Sequence, residues 1–548
     1  MNFIYEILQN FFKEEMLNTT IIVFTCLLVN IIQTFGITTV TSNIINTIKS
    51  GNKPEVYYLF NVFMFLSVSY LIIHYIFKIF QNKLLTKLWQ WLKNELVRVI
   101  LINNNENFGS KNFISMITPI TRIASVCNMI ISDIITFVLP TIIFLAVITA
   151  FFLYHNPIMG ILFLVANVVI VLYFISVYDN ILKKNEIYEK TAAGYEFNIL
   201  EILNNIDRII YRGQTTDEIN KSSELMKNTI NESYEFHSCT NFHGAIMNAF
   251  VYIIMFAVMY NNINAFYDKK IDLVLFITFI SIIVLYREKM AIVIQQIHEF
   301  IEFFGRMNGV LSSFSEVEDI YKKPYNSTEL KFEKLKFDNV TFKYDDTDKF
   351  VFKNLNINLN TSEHRIIGVT GISGRGKSTF MKLLLKMYKN YEGEIYIDDK
   401  NIKEIDPDYI RANITYVNQN SKLFDKIIID NMMYGCSNDE ACYQHLESII
   451  KQYPKINELF QKMDIYKKRA GPLGENLSGG QRQVVNIISG LINPSKILLL
   501  DEPTNALDGE LKQNVLDVIN DFRKYKQCII IITHDTSVYS LFNERIEI

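Results

Sequence analysis

Two short stretches of this 548-residue chain carry residues whose types and spacing suit phosphate chemistry. The first is Ile366-Ile-Gly-Val-Thr-Gly-Ile-Ser-Gly-Arg-Gly-Lys-Ser-Thr379. It matches G-x-x-x-x-G-K-[ST] at Gly371, Gly376, Lys377 and Ser378, with Ser373, Gly374 and Thr379 completing the loop and the helix start. Glycines let backbone N–H groups approach phosphate oxygens, and a helix that begins there points its positive end at them. Lys377 is expected to reach the β- and γ-phosphates of a nucleoside triphosphate, and the Ser378 hydroxyl to bind Mg2+. The second stretch is Lys496-Ile-Leu-Leu-Leu-Asp-Glu-Pro-Thr504. An apolar run ending in acid predicts a buried parallel strand that delivers a carboxylate to the ligand edge of a sheet. Asp501 would bind Mg2+ through water, and Glu502 beside it would polarise an attacking water. An ordinary strand end with solvated acids is the plainer alternative. It leaves unexplained why the strand edge lies where the phosphate loop needs it.

The residues ahead of these motifs are of a different kind. Hydrophobic residues make up 49% of the chain and its mean hydropathy is +0.14, which points to membrane segments. A net charge of −3 gives no sign of nucleic acid as a partner. Met16–Ile48, Val56–Phe77, Ile134–Tyr154, Pro157–Tyr178 and Ser238–Tyr267 are each long and uncharged enough to hold a membrane span. Leu273–Tyr286 is only 14 residues, between Asp272 and Arg287, but is read as a sixth span. Lys269 and Lys270 can snorkel, and the apolar pattern resumes after Lys289. Long lysine- and arginine-bearing connections follow the second and fourth spans, and the positive-inside rule assigns them to the cytoplasm. Gln81–Ile102 and Asp179–Ile210 keep helical spacing, so they read as spans prolonged into the cytoplasm, broken at Asn103–Lys111 and Asn204–Gly213. At the N-terminus, Phe3, Ile4, Ile7, Leu8, Phe11 and Phe12 share one helical face. A helix on the membrane surface fits this pattern, and a short helix packed on protein is the alternative. Without a basic start or cleavage site, the first span is expected to be retained. The six cysteines show no metal-type spacing and read as reduced thiols.

A third motif joins the first two. Leu477-Ser-Gly-Gly-Gln-Arg-Gln483 resembles the signature of ATP-binding cassette (ABC) proteins. Asp501-Glu-Pro-Thr-Asn-Ala-Leu-Asp508 and Ile532-Thr-His534 fit the same family in the same order. The whole chain resembles the half-size exporters of that superfamily. The resemblance implies an α-helical transmembrane domain of six spans followed by an α/β P-loop NTPase domain. The boundaries are a surface helix over 1–16, the membrane domain over 17–325 and the nucleotide-binding domain over 326–548. It also implies roles. Tyr344, in Val340-Thr-Phe-Lys-Tyr344, matches the aromatic that stacks on adenine. Gln419, in Tyr416-Val-Asn-Gln419, matches the residue that contacts Mg2+ and couples to the membrane domain. Ser478 and Gly480, with Gly479 and Gln481, match the signature that binds the γ-phosphate held by the other subunit. Asp508 matches the acid that communicates across the dimer, and His534 the histidine on the γ-phosphate. Tips near Gly109 and Asp207 look like coupling helices.

Three features depart from the family pattern. Ala470-Gly-Pro-Leu-Gly-Glu475-Asn looks shortened, with Glu475 in the usual coupling position. Val484-Val-Asn-Ile-Ile-Ser-Gly490 is less basic and less Ala-rich. The chain ends 14 residues past His534, where relatives continue.

These features predict an ATP-hydrolysing exporter that uses ATP and Mg2+ and is embedded in a lipid bilayer. Its cassette and both termini would be cytoplasmic, and its partner a second copy of the chain or a related half-transporter. A channel or regulator that binds ATP without pumping is the competing reading, against which Glu502, Ser478 and His534 argue. The transported substrate is unassigned. Asn30, Gln33, Asn61, His74, Asp133, Asn167, His243 and Arg287 lie in or beside the spans as candidates, although a neighbouring helix often satisfies such a group.

Overall fold

A computed structural model describes residues 2–103, 117–311, 329–344, 347–372, 374–419, 422–436 and 440–548. The chain divides into two units, 1–100 with 112–320 and 101–111 with 321–548. The domain boundary expected at 325, the break at Asn103–Lys111 and the tip near Gly109 lie outside the described residues, apart from Asn103.

The first unit is helical. Its elements are α1 (Asn2–Glu14), α2 (Met16–Ile31), a π-helical turn (Ile32–Ile37), α3 (Thr38–Ser50), α4 (Lys53–Asn103) and α5 (Ile117–Asp133). A second π-helical turn (Ile134–Val138) leads to α6 (Leu139–His155), α7 (Pro157–Asn204), α8 (Ile206–Tyr211), α9 (Thr215–Tyr267) and α10 (Leu273–Leu311). Helix α9 has 53 residues, about 80 Å at 1.5 Å per residue. The hydrocarbon core is about 30 Å thick, so α4 and α7 run well past it as the sequence predicts, and α9 is as long. Asn156 alone separates α6 from α7, and its side chain accepts from the Met159 amide at 3.3 Å. The break at Asn204–Gly213 is the short α8.

Five helices among the described residues are long and apolar enough to cross a membrane: Met16–Ser50, Lys53–Ile102, Pro119–His155, Pro157–Asn204 and Thr215–Tyr267. The expected sixth span lies in α10, which is 39 residues long. Arg287, Glu288 and Lys289 interrupt its apolar run, and that keeps it outside this group. Phe152, Phe163, Phe279 and Tyr286 pack edge-on or tilted, with centroids 4.9–5.3 Å apart, and bind α6, α7 and α10 together.

Helix α1 forms as the periodicity predicts, but its apolar face is turned to protein. Ile7 and Phe11 are fully buried among Leu84, Leu88, Leu92, Leu96 and Val99 of α4. The Phe11 ring lies 5.3 Å from Trp91. Burial against a neighbouring helix removes that face from water just as a bilayer would, so the stripe alone did not distinguish the two.

The second unit begins with β1 (Lys334–Lys343), β2 (Phe350–Asn360), β3 (Arg365–Thr370), α11 (Lys377–Leu384), β4 (Glu392–Ile397) and β5 (Lys400–Asn401). It continues through α12 (Pro407–Asn413), β6 (Ile414–Val417), α13 (Ile428–Met432), α14 (Glu440–Gln452) and α15 (Pro454–Met463). It closes with α16 (Gly479–Ile492), β7 (Ile497–Asp501), α17 (Gly509–Phe522), β8 (Cys528–Ile532) and β9 (Glu544–Glu547). An antiparallel sheet has the order β2-β1-β4-β5, and a parallel sheet the order β6-β7-β8-β3-β9. Strands β7 and β8 are buried at every position because helices cover both faces, which is why they read as unbroken apolar runs. The apolar helix after the signature, one of the departures noted above, buries Val484, Val485, Ile487, Ile488, Leu491 and Ile492 in the core beneath it. The residues past His534 form a 3-10 turn and β9, which pairs with β3 along the sheet edge.

Cysteine chemistry differs from the expectation. Cys436 and Cys442 are joined as a disulfide, while Cys26, Cys127, Cys239 and Cys528 are free. Their Cα atoms lie 6.2 Å apart, within bridging range. A six-residue spacing carries no such signal in sequence.

The start of the second unit hangs on one carboxylate. Asp398 accepts from four successive amides: Lys331 and Phe332 at 2.9 and 3.0 Å on Oδ2, Glu333 and Lys334 at 2.8 and 3.1 Å on Oδ1. Asp398→Ala strands all four donors. It is expected to cost about 2–3 kcal/mol of cassette stability, read as a lower thermal midpoint of the purified full-length chain, with Asp398→Asn intermediate.

Candidate nucleotide site

The parallel sheet sets the site's geometry. Val369 of β3 pairs with Ile532 of β8, and Ile532 pairs with Asp501 of β7. The three strands therefore end at one level. From that edge emerge the phosphate loop, the acidic pair and the Thr533-His534 turn.

Gly371, Gly374 and Gly376 have φ of +144°, +84° and +98°. A Cβ on Gly376 would stand 2.4 Å from the Val351 side chain, so this position needs glycine twice over. Gly376 caps α11, whose first residues are Lys377, Ser378 and Thr379. Lys377 is buried, and its ammonium donates to the carbonyls of Gly371 and Ile372 at 2.9 and 3.2 Å. The lysine thus lies across its own loop. Ser373 lies outside the described residues. The Tyr344 hydroxyl shares a 2.5 Å hydrogen bond with Thr379, which ties that aromatic to the base of the loop. Its ring meets Phe342 and Tyr388 edge-on.

Glu502 has a left-handed backbone, φ +51°, in a residue with a Cβ. Such a conformation costs on the order of 1 kcal/mol. Two hydrogen bonds hold it: its amide donates to the Ile532 carbonyl at 2.9 Å, and its carbonyl accepts from Gln483 Nε2 at 2.7 Å. The side chain is buried, with Oε1 2.6 Å from His534 Nδ1. Oε2 is buried and has no protein partner.

Asp501 is buried too, and its Oδ2 accepts from the Tyr416 hydroxyl at 2.9 Å. Burial and the adjacent Asp501 carboxylate push the Tyr416 phenol well above its usual range, so it remains a donor. Ser378 is half-buried, and Gln419 is exposed just beyond β6. Hydroxyl, carboxylate and amide oxygens form a donor set suited to Mg2+. With one Asp501 oxygen held by Tyr416, the carboxylate is fixed in direction.

The signature builds a separate end. Ser478 caps α16: its hydroxyl accepts from the Gln481 amide at 3.2 Å while Gln481 Oε1 accepts from the Ser478 amide at 2.9 Å. Ser478 and Gly479 are exposed. A Cβ on Gly480 would stand 2.6 Å from the Ala506 carbonyl, so glycine lets the signature touch the loop that leads to Asp508. Asp508 caps α17, accepting from the Leu511 amide at 3.0 Å. Glu475 is exposed on a turn before the signature.

The structure thus brings Gly371, Gly374, Gly376, Lys377, Ser378 and Thr379 with Asp501, Glu502 and His534 to one edge, and groups Ser478–Gln481 with the Ala506–Asp508 loop. Tyr416 and Gln483 were missed as site residues. Both stand inside quoted motifs, but which carboxylate or carbonyl they meet depends on strand order. The polar groups of the first unit are mostly paired locally. Asn30 donates to Cys26 O at 2.9 Å, Asn167 accepts from Tyr286 at 3.0 Å, His243 meets Tyr173 at 2.8 Å and Arg287 donates to Tyr252 at 2.9 Å. His74 stacks on Tyr70 and Asn61 is exposed. Gln33 and Asp133 each keep one buried oxygen without a protein partner.

The glycine-rich loop, the acidic strand end, His534 and the capped helix end are the parts that resemble an ATP-binding cassette of the ABC type. Residues 353–505 match the ABC transporter family. The mating factor M secretion protein mam1 of Schizosaccharomyces pombe is 27% identical over 360 residues, 64% of this chain and 26% of that protein. A putative export ATP-binding/permease protein of Rickettsia bellii is 36% identical over 222 residues, 40% of this chain and 37% of that one. The lactococcin-G-processing and transport ATP-binding protein LagD of Lactococcus lactis is 27% identical over 392 residues, 70% of this chain and 53% of that protein. In each case the match spans little more than half, or less, of the relative. A solved structure of a bacterial Atm1-family ABC exporter with ATP bound matches with a TM-score of 0.82 at 18% identity, covering 98% of this chain and 93% of that one. This chain has the fold of an ABC exporter half-transporter, with a membrane-type helical unit fused to one ABC-transporter ATP-binding domain.

Tyr416→Phe leaves Asp501 without its aiming donor. Mg2+-dependent ATP turnover at saturating ATP is expected to fall about three- to tenfold, since one hydrogen bond to a charged group is worth ~1.5–3 kcal/mol and only part is lost to water. A Mg2+ titration of activity checks this, with the half-saturating Mg2+ concentration rising.

Proposed function

We propose that this chain is an ATP-hydrolysing exporter that works as a dimer and moves its substrate across a membrane by alternating access. One observation carries the hydrolytic part: Glu502 has one oxygen on His534 at 2.6 Å and the other buried with no protein partner. A carboxylate so held has one free acceptor, aimed where a water can be oriented and its proton received. His534 fixes the direction of that carboxylate and offers its other ring nitrogen to the γ-phosphate. Lys377 exchanges its loop carbonyls for the β- and γ-phosphates. Ser378 and Asp501, with Gln419, would hold Mg2+, which neutralises phosphate charge when bound. Tyr344, tied to Thr379, would offer its ring to the adenine.

The signature supports a two-chain site. Its capped and exposed helix end is a second anion-binding end. One cassette has one phosphate loop, so a nucleotide held by both a loop and a signature needs a partner's surface. The partner is a second copy or a related half-transporter. ATP then joins two cassettes and hydrolysis weakens the joint. Ile206, Ile210 and Tyr211 of α8, the tip that resembles a coupling helix, are exposed. The lysine-rich extensions of α4 and α7 favour cytoplasmic cassettes and termini, with α10 as the sixth span.

Chain reconstituted in lipid is expected to turn over ATP, and Glu502→Gln to reduce that rate by a hundredfold or more while nucleotide still binds. The Glu502→Gln chain is expected to sediment as a dimer only with ATP. Absent turnover in lipid, or an unchanged rate in Glu502→Gln, would sink the exporter reading in favour of a channel or regulator that binds ATP. A panel of peptides, lipids and hydrophobic drugs, scored by stimulated turnover, is expected to identify the substrate class.

A further inference from the structure

The residue after His534 is a carboxylate to which neither the motifs nor the hydrolysis described above gives a role. Asp535 is about three-quarters buried, its side chain 23% exposed, and it spends its acceptor capacity on three separate pieces of chain. Oδ2 accepts from the Thr504 hydroxyl at 3.1 Å and pairs with Lys512. Oδ1 accepts from the Ser537 amide at 3.0 Å and its hydroxyl at 2.7 Å, capping the short turn Thr536–Leu541. The Asp535 amide is itself held by the Thr533 hydroxyl at 3.0 Å.

Each partner leads to a site residue. Thr504 is buried two residues beyond Glu502, and its carbonyl accepts from the Leu507 amide at 3.2 Å. Lys512 lies in the first turn of α17, its amide bonded to the Asp508 carbonyl at 2.8 Å. His534 is the immediate neighbour. One carboxylate therefore stands where the segments bearing Glu502, Asp508 and His534 cross.

We infer that Asp535 is a positioning residue that locks the His534 segment to the turn behind Glu502, through Thr504, and to the helix that starts at Asp508, through Lys512. This rests on the hydrolytic reading of Glu502 and His534. An ion pair in open solvent contributes little. Here Lys512 is only 24% exposed, and a buried threonine and a serine share the same carboxylate. Burial alone would raise the Asp535 carboxyl, but Lys512, Ser537 and Thr504 overcome it and hold it well below the usual carboxylate range. The clamp therefore stays charged throughout the neutral range. Its consequence is geometric: a shift of about 1 Å between Glu502 and His534 is enough for roughly a hundredfold loss of rate. It is also a route by which a change at Asp508 reaches His534, because Lys512 and Asp535 join the two segments directly.

The test uses the full-length chain in lipid, with turnover expressed per nucleotide-binding site. Asp535→Ala is expected to lower kcat at least tenfold with KM for ATP within threefold. Lys512→Met is expected to lower kcat about threefold or more, and Lys512→Arg to restore it. Hydrogen exchange without nucleotide supplies a readout independent of turnover. Amides of both 505–512 and 533–541 are expected to exchange at least tenfold faster in Asp535→Ala, and those of 505–512 faster in Lys512→Met. Unchanged kcat per site in Asp535→Ala, or unchanged exchange in 505–512, overturns the clamp. A wild-type chain without turnover sinks the hydrolytic reading alone, and the exchange data then decide on the clamp. If Asp535→Ala fails to fold, the Lys512 pair decides, because it leaves Asp535 and its Ser537 and Thr504 partners in place.

Discussion

Val369, Ile532 and Asp501 lie side by side in three parallel strands, each buried on both faces. Their ladder amides and carbonyls have no water to turn to, so the register is held by the full cost of an unpaired buried group. From this row the phosphate loop, Asp501-Glu502 and Thr533-His534 all leave within a residue or two. A slip of one residue in β7 would reverse the faces of its side chains and carry Asp501 away from Tyr416. The rest of the cassette supports this row. Gly368 has no side chain because a Cβ would stand 2.2 Å from the Phe542 ring, and Gly490 lets α16 settle on Val417 and Leu498.

Strain at the site is held from several directions. Glu502 adopts a left-handed backbone that its side chain does not favour, and Ile532 on one side and Gln483 on the other fix it there. Gln483 belongs to the helix that also presents Ser478, so the signature helix and the acidic turn are one piece. Gly480 against Ala506 repeats the link a turn earlier, and Asp535 with Lys512 and Thr504 repeats it on the far side. The site is a set of loops that share hydrogen bonds behind Glu502 and His534.

The first unit follows a different economy. Several of its described polar side chains pair within their own helix, as Asn30 does with the Cys26 carbonyl, or with a Tyr or Asn of a neighbouring helix. Among the described residues, buried oxygens without a partner remain on Asn128, Asn185, Asn198 and Asn262, and three more fall at the π-helical turns. Gln33 and Thr34 lie within the first and Asp133 directly before the second, each with a buried oxygen that finds no partner. A π turn displaces the carbonyl that a helical side chain ordinarily reaches four residues back, which accounts for Thr34 being left over.

Sequence by itself determined the order of motifs, the phosphate loop with its three glycines, the acidic strand end and the long helices of the first unit. These are local properties: glycine conformation, apolar period and unbroken helical spacing are written in adjacent residues. It also placed the break at α8. What only the tertiary structure decided were the relations between distant segments. The apolar face of α1 suited a bilayer or α4 equally, since both exclude water, and packing chose α4. Cys436 and Cys442 have no telling spacing in the sequence, and only the folded structure shows their Cα atoms 6.2 Å apart. Tyr416, Gln483 and Asp535 are ordinary residues in the sequence. They matter because strand order brings β6 beside β7, α16 behind Glu502 and the segment after β8 against α17, and strand order is set by which buried faces fit together rather than by neighbours along the chain.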